Sequence, residues 1–283
     1  MTKVWLITGA GRGLGAEIAK AALAAGDWVV ATDRDREQVE QASAREGDCV
    51  LALALDVTDQ AQALATVNAA VERFGRIDVL VNNAGYGLVG MFEECTPEAI
   101  ERQYATNVFG LMHVTRAVLP VMRRQRSGRI LNVTSVGGLV GAPWWSAYCS
   151  TKFAVEGFSE SLAQELAPFG IQVTLVEPGA FRTDFLDAGS LQHGSNVIDD
   201  YAASSTALRS AWAERSHRQV GDPVKLGAAI VTLASAEHPP LHCVVGTDAV
   251  AWAVTKIAAL AEELDRWCEV SLSTDIEPET AAA

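Results

Sequence analysis

Lysine is scarce in this chain: Lys3, Lys20, Lys152, Lys225 and Lys256 are the only five in 283 residues, and lysine and arginine together number 22 against 35 acidic residues. The resulting charge of −13 excludes nucleic acid as an expected partner, because a phosphate backbone is neutralised by Lys and Arg clusters. Cysteine is sparse too. Cys49, Cys95, Cys149, Cys243 and Cys268 are odd in number, form no CxxC pair and match no Cys/His zinc spacing. They read as reduced thiols, which points to a cytoplasmic protein with neither a disulfide framework nor a metal. No apolar run approaches the ~20 residues of a membrane helix. "KVWLITG" enters a strand at residue 3, so neither a membrane anchor nor a signal peptide is expected.

What the chain does have is alternation. Short apolar runs at 4–8, 28–32, 49–55, 77–82, 128–134, 171–177 and 242–246 read as strands covered on both faces, since parallel strands lose the polar alternation of a half-exposed sheet. Between them, helical spacing predicts helices over 13–25, 36–45, 59–73, 97–124, 147–168, 223–236 and 247–267. Asp59, and Thr96 followed by Pro97, supply N-cap and first-turn signals in the expected order. The pattern predicts an α/β fold: a Rossmann-like, doubly wound parallel sheet of about seven strands flanked by helices, one domain over 1–283. Residues 180–220, rich in Ser, Ala and Gly, interrupt the rhythm after the sixth strand and read as an irregular substrate lid at the ligand-binding end of the sheet.

"ITGAGRGLG" joins the first strand to the first helix. Gly9, Gly13 and Gly15 let the backbone turn sharply and approach a pyrophosphate, whose charge meets the helix N-terminus. Asp33 closes the second strand, 18 residues after Gly15, where a carboxylate grips the adenosine ribose of NAD. Arg12 and Arg34 pull toward the extra phosphate of NADP. Asp33 alone suits the hydroxyl-binding position, so NAD is expected, with NADP the alternative. Tyr148 precedes Lys152 by four residues. On a helix that spacing puts both on one face, and an ammonium beside a phenol favours the phenolate.

Taken together, these motifs resemble the short-chain dehydrogenases/reductases in their shorter single-domain branch, over roughly residues 3 to 190. "TGAGRGLG", with Arg12 and Leu14, is similar to that family's cofactor loop. "LDVTD" carries Asp56 and Val57, which by resemblance hold the adenine. Asn83, Ala84 and Gly85 of "NNAG" approach the cofactor from the fourth strand. Asn107, Ser135, Tyr148 and Lys152 match the catalytic tetrad, and Pro178 and Gly179 of "EPG" with Thr183 match the segment at the nicotinamide end. The resemblance implies hydride transfer between an alcohol carbon and nicotinamide, with Tyr148 as general base or acid. Its pKa of about 10 would have to fall to about 7. Lys152 would lower it and hold the nicotinamide ribose, Ser135 would bind the substrate oxygen, and Asn107 would hold a proton-relaying water.

Trp144, Trp145 and, in the lid, Phe185 are expected to shape the substrate pocket. No arginine cluster for an acidic substrate is visible, so the expected substrate is a small, uncharged, moderately lipophilic secondary alcohol or ketone. Past the last strand, a helical extension at about 247–270 carries Val250, Val254, Ile257, Leu260 and Leu264 at helical spacing, expected to dock on the core. Self-association is expected as a homodimer through the two long helices or as a homotetramer. The competing reading is a catalytically silent NAD(H)-binding redox sensor, and a further one an NADP-dependent carbonyl reductase. Replacing Asp33→Ala tests the cofactor assignment. Steady-state kinetics with both cofactors should show kcat/KM for NAD falling about tenfold or more, the loss expected for a charge-assisted hydrogen-bonding group, with NADP losing less. An unchanged NAD/NADP ratio would show that Asp33 does not set the preference.

Overall fold

The computed structural model describes residues 2–43 and 47–276. Its first half runs β1 (Val4–Thr8), α1 (Gly13–Ala24), β2 (Trp28–Asp33), α2 (Arg36–Ser43), β3 (Val50–Ala54), α3 (Gln60–Phe74), β4 (Val79–Asn82) and a short β5 (Gly87–Val89). There follow α4 (Pro97–Tyr104), a π-helical segment (Ala105–Gly110), α5 (Leu111–Gln125), β6 (Gly128–Val133) and α6 (Ser146–Leu166). The chain ends with β7 (Ile171–Pro178), β8 (Leu191–His193), α7 (Ala202–Arg215), α8 (Pro223–Ser235), β9 (His242–Val245), α9 (Thr247–Arg266) and α10 (Cys268–Leu272). Of the predicted helix over 36–45, residues 44 and 45 lie outside the described residues.

Seven strands form one all-parallel sheet in the order β3-β2-β1-β4-β6-β7-β9. These are the seven apolar runs of the sequence. Successive side chains of a strand point to opposite faces, and β1 feeds two cores accordingly. Val4 and Leu6 pack with α3, α5 and α6, through residues such as Val67, Val118 and Leu162. Trp5 and Ile7 pack with α1 and α8, through Ile18, Leu226 and Ile230. Winding runs outward in both directions from the β1–β4 pair. That reversal opens a crevice at the carboxyl ends of β1 and β4, where such sheets bind ligands.

A buried polar ladder fixes the crevice from below. Asn82 Nδ2 donates to Thr115 Oγ1 and to Asn132 Oδ1, each at 2.9 Å, and Asn132 Nδ2 donates to Ser159 Oγ at 2.8 Å. Each residue has a partner in the ladder, as burying a polar side chain requires, and Asn82 Oδ1 is the one amide oxygen of the ladder left without one.

Two expectations are corrected. Residues 180–220 are not irregular: β8 pairs in parallel with β5, and α7 occupies much of the rest. Ser205 Oγ anchors α7 by donating to the buried Glu94 carboxylate at 2.7–2.8 Å. The helix buries only Ser205 and Leu208, so its sequence carries little of the periodicity from which helices are read. The C-terminal helix α9 does not dock its apolar stripe on the core either. Ala249 and Ala253 are its buried residues, while Val254, Ile257 and Leu264 are more than 60 % exposed. Small alanines let the helix lie close to the body, while the bulky residues stay largely exposed.

Candidate active site

A cleft of about 1020 Å³ opens over the carboxyl ends of the sheet. At its floor β1 ends in the loop Gly9–Arg12. Gly9 and Gly13 have φ of +65° and +57°, the left-handed region that glycine enters without penalty. A Cβ built on Gly15 would stand 2.1 Å from the Gly9 carbonyl oxygen, so only glycine lets α1 approach β1 this closely. Asn83 holds the loop, its Nδ2 donating to the Thr8 and Gly9 carbonyls at 3.0 Å. The Asn83 and Ala84 backbone N–H groups both donate to Thr8 Oγ1.

These residues fit a dinucleotide. Helix α1 starts at Gly13 without a side-chain cap and without an acidic residue in its first turn, leaving its N-terminal dipole available to an anion. Only Thr183 comes within 4 Å of a Cβ placed on Gly13, so there is a cradle beside the loop. Leu14, Asp33, Arg34, Asp56, Val57, Gly85, Pro178 and Gly179 all line the same cleft. Asp33 Oδ2 accepts from the Gly11 N–H at 3.3 Å, and Asp56 accepts from the Thr58 backbone and hydroxyl. Arg12 behaves differently from Arg34. Its guanidinium donates to the Gly189 carbonyl at 3.0 Å and to Ser190 Oγ at 2.7 Å, joining the cofactor loop to the segment before β8.

Beyond the loop, the four residues of the tetrad converge. Ser135, after β6, accepts from the Gly137 N–H at 3.0 Å and hydrogen-bonds Tyr148. Tyr148 and Lys152 lie one turn apart on α6, both buried, with Lys152 Nζ 5.7 Å from the centroid of the phenol ring. Lys152 Nζ donates to the Val133 carbonyl at 3.0 Å. Asn107 sits in the π-helical segment, a feature frequent at functional sites. Its Nδ2 donates to the Tyr86 carbonyl and to Thr151 Oγ1, and its Oδ1 accepts from the Tyr86 N–H.

Burial dominates the electrostatics of the Tyr148–Lys152 pair. It pushes the Tyr148 phenol above its ordinary pKa; the Ser135 hydrogen bond opposes this and neighbouring Cys149 adds to it. Burial pushes the Lys152 ammonium down to about 8, against the pull of Glu156. The ammonium, 5.7 Å from the ring centroid and bonded to a backbone carbonyl, suffers the same desolvation as the phenol beside it.

Around Tyr148 stands an aromatic box. The Trp145 ring lies edge-on at 5.2 Å to Tyr148 and also at 5.2 Å to Trp212, and Phe185 lies 5.9 Å from Tyr148. Trp144 also lines the cleft, held at φ 66°, an uncommon conformation for a bulky residue and one that clusters at functional sites. Trp212 was not legible in the sequence because its helix was not. Nor were Arg215 and Arg218 placed at the cleft, which they line; Arg215 lies 5.6 Å over the Trp212 ring. No arginine cluster marks them in the sequence, because the fold brings them to the cleft from the end of α7 and the turn after it.

Behind the tetrad lies a cluster the sequence did not reveal. Glu156, one turn past Lys152 on α6, Glu177 on β7 and His242 on β9 place ligand atoms within 4.8 Å of one another. His242 Nδ1 lies 2.7 Å from Glu177 Oε1, while both Glu156 oxygens and Glu177 Oε2 are buried without a hydrogen-bond partner. Burial pushes Glu156 up to about 7, with Thr134 and His242 opposing and Glu177 adding to the rise; burial raises Glu177 as well.

The comparisons with known proteins agree with this geometry. The cleft defines a nicotinamide-dependent oxidoreductase of Rossmann type, and the chain belongs to the short chain dehydrogenase family, whose sequence profile it matches over residues 3–193. It is 43% identical over 275 residues to "Oxidoreductase BOA17" of Botryotinia fuckeliana, covering 97% of this chain and 100% of that protein. It is 40% identical over 245 residues to the 3-ketodihydrosphingosine reductase of Bacteroides thetaiotaomicron, covering 86% and 88%. Among solved structures, a short-chain dehydrogenase from Streptomyces avermitilis superposes with a TM-score of 0.90 at 42% identity, over 98% of this chain and 100% of that one. A 3-ketoacyl-(acyl-carrier-protein) reductase from Brucella melitensis, complexed with NADH, is 30% identical with a TM-score of 0.73, over 86% and 96%. ElxO with NADP bound also gives 0.73, at 27% identity over 89% and 100%. No helix among the described residues is long and apolar enough to cross a membrane.

The Glu156 shift has a consequence for stability. A carboxyl that titrates near 7 when folded and near 4.3 when unfolded binds more protons in the folded state between those values. Its contribution is therefore present below about pH 4 and lost as pH rises through 7. Glu156→Gln, which mimics the protonated form, should melt a few degrees above the wild type at pH 8, about 2–4 °C for each kcal/mol regained. The difference should shrink as pH falls from 8 and vanish only below about pH 4. Equal melting curves at pH 8, read by circular dichroism, would show that Glu156 ionises freely.

Proposed function

We propose that this chain interconverts a secondary alcohol and its ketone on a small, moderately lipophilic substrate, with Tyr148 as general acid–base and NAD preferred over NADP. The reading rests on one observation above all: a buried phenol, hydrogen-bonded to Ser135 and boxed by Trp145, Trp212 and Phe185, in the same cleft as the glycine loop. Bound nicotinamide supplies or accepts the hydride. Tyr148 gives its phenolic proton to the carbonyl oxygen in reduction and takes the alcohol proton in oxidation. Ser135 donates to the same oxygen and stabilises the charge that develops there. In oxidation, the positive charge of oxidised nicotinamide and of Lys152 lowers the cost of the phenolate that burial otherwise imposes. Lys152 also positions the ribose, and Asn107, whose amide is committed to Tyr86 and Thr151, holds the relay that returns the proton to solvent.

Two features support NAD. Asp33 lines the cleft at the end of β2, beside the glycine loop, and Arg12 is engaged with Gly189 and Ser190. Arg34 is the residue through which NADP would bind. The aromatic walls favour an apolar body for the substrate, and a relative that acts as a ketone reductase accords with the reaction class. Arg215 and Arg218 at the rim favour a second reading, in which the substrate bears an anionic group remote from the carbonyl.

The test is a kinetic panel of cyclic, aromatic and steroidal alcohols and ketones, with and without a distal carboxylate, run with NAD and NADP. Turnover with NAD on the uncharged members supports the first reading, and a strong preference for the acids the second. In either case Tyr148→Phe should lower kcat by about a thousandfold, within the range of general acid–base catalysis, with NADH affinity unchanged within a few-fold. Residual activity within tenfold of wild type would remove Tyr148 from the mechanism. NADH binding without turnover on any member would favour the redox sensor.

A further inference from the structure

Glu156, Glu177 and His242 do not line the catalytic cleft, and hydride transfer gives them no task. Glu156 is 5% exposed and Glu177 0%. Both Glu156 oxygens and Glu177 Oε2 are buried without a hydrogen-bond partner, and buried polar atoms in that condition call for a water, an ion or a functional reason. Among the described residues His242 is the ion-pair partner of both carboxylates. Its Nδ1 lies 2.7 Å from Glu177 Oε1 and 3.5 Å from Glu156 Oε2. Lys152 attracts Glu156 from one turn away, but its ammonium is bonded to the Val133 carbonyl. One imidazole therefore faces two buried acids, and buried charge is costly unless it is paired or coordinates a metal.

We propose that Glu156, Glu177 and His242 bind a divalent transition-metal ion, zinc by preference, in a structural site that clamps the edge strand β9 to β7 and α6. Two carboxylates cancel the charge of a divalent ion, which leaves the buried site neutral. Zinc takes imidazole nitrogen and carboxylate oxygen at about 2.0–2.2 Å, which sets the ligand atoms of a tetrahedral site about 3.3 Å apart. The separations of 2.7 and 3.5 Å bracket that value, and all three ligand atoms lie within 4.8 Å of one another. The imidazole favours zinc over magnesium or calcium, which are held by oxygen. Because Nδ1 faces both acids, it is the ligating nitrogen, and Nε2 is left toward Glu160 Oε1 at 3.6 Å. A carboxylate on the far side of a metal-bound histidine is the usual outer arrangement. His242, 38% exposed on its side chain, gives the ion a way in and room for a further ligand. Strand β9 has β7 as its one neighbour in the sheet and leads straight into α9, whose Asp248 and Trp252 reach the cleft. A clamp on β9 thus also fixes the start of that helix. No cysteine takes part, so the cysteine spacings that made the chain read as metal-free do not bear on this site.

The test uses the full chain, stripped with EDTA, loaded with zinc chloride and dialysed. Activity is not read, so failure of the proposed reaction would leave the result unaffected. Atomic emission should find about one zinc per wild-type chain. Free zinc a hundredfold above its Kd should raise the melting temperature by about 5–10 °C. His242→Ala, at a partly exposed position, and the near-isosteric Glu177→Gln should lose both the ion and the shift while keeping wild-type circular dichroism. His217→Ala, in the more exposed Asp184–Asp187–His217 group, should keep both. Cobalt in place of zinc should show ligand-field bands without a thiolate charge-transfer band, a readout that needs no variant. Less than about 0.2 zinc per wild-type chain, undiminished zinc in His242→Ala or Glu177→Gln, loss of zinc in His217→Ala, or a thiolate band would each overturn the site. Glu156→Gln also removes a ligand, so its melting comparison with the wild type holds for chelator-treated protein.

Discussion

The burial of the Lys152 ammonium is the constraint around which this site is built. A cation taken out of water costs several kcal/mol unless its hydrogen bonds and its charge are answered. Here the Val133 carbonyl, at the end of a central strand, answers one hydrogen bond, and Glu156, a turn further along α6, answers part of the charge. Both partners are fixed by larger structures: Val133 by the β6–β7 register and Glu156 by its packing against Glu177 and His242. The lysine is therefore held in one place, and so is Tyr148 on the preceding turn. Burial that pushes the ammonium down and the phenol up leaves both groups neutral more readily than in water. A cleft in that condition gains from any positive charge that enters it, which is the charge oxidised nicotinamide carries.

Glu156 gives this arrangement a second consequence. The carboxyl that draws the lysine toward its charged form is itself raised to about 7 by burial and by Glu177. As Glu156 loses its proton, Lys152 gains a stronger reason to keep its own. The two titrations are thus linked through one helical turn, and the linkage falls where the site must work. His242, 38% exposed on its side chain, connects this buried pair to solvent.

Much of this was legible in the chain because burial on both faces writes itself directly into sequence. All seven strands of the main sheet appear as continuous apolar runs, since no position of a central parallel strand is left to water. The tetrad and the glycine loop appear as short motifs because their chemistry needs fixed residue types at fixed spacing. What was not legible depends on tertiary context. Strands β5 and β8 are three residues each, too short to show a period. Helix α7 buries two residues and, Trp212 apart, is otherwise small or polar. The stripe on α9 was plain in the sequence, but whether such a face meets its own core or another chain is not encoded in its periodicity. The Glu156–Glu177–His242 cluster draws on three separate elements, and no local pattern marks it.

Arg12 shows how the cofactor loop and the substrate side of the cleft form one mechanical unit. Its backbone caps α1 at the phosphate loop, while its guanidinium grips Gly189 and Ser190, just before β8. The same segment carries Asp187, which binds Ser216 and His217 beyond the end of α7, and α7 presents Trp212 to Trp145 and thereby to Tyr148. Hydrogen bonds and ring contacts thus form an unbroken series from the phosphate loop to the aromatic wall around Tyr148. Through this series the position of α7, and with it Trp212, is tied to the glycine loop as well as to Glu94.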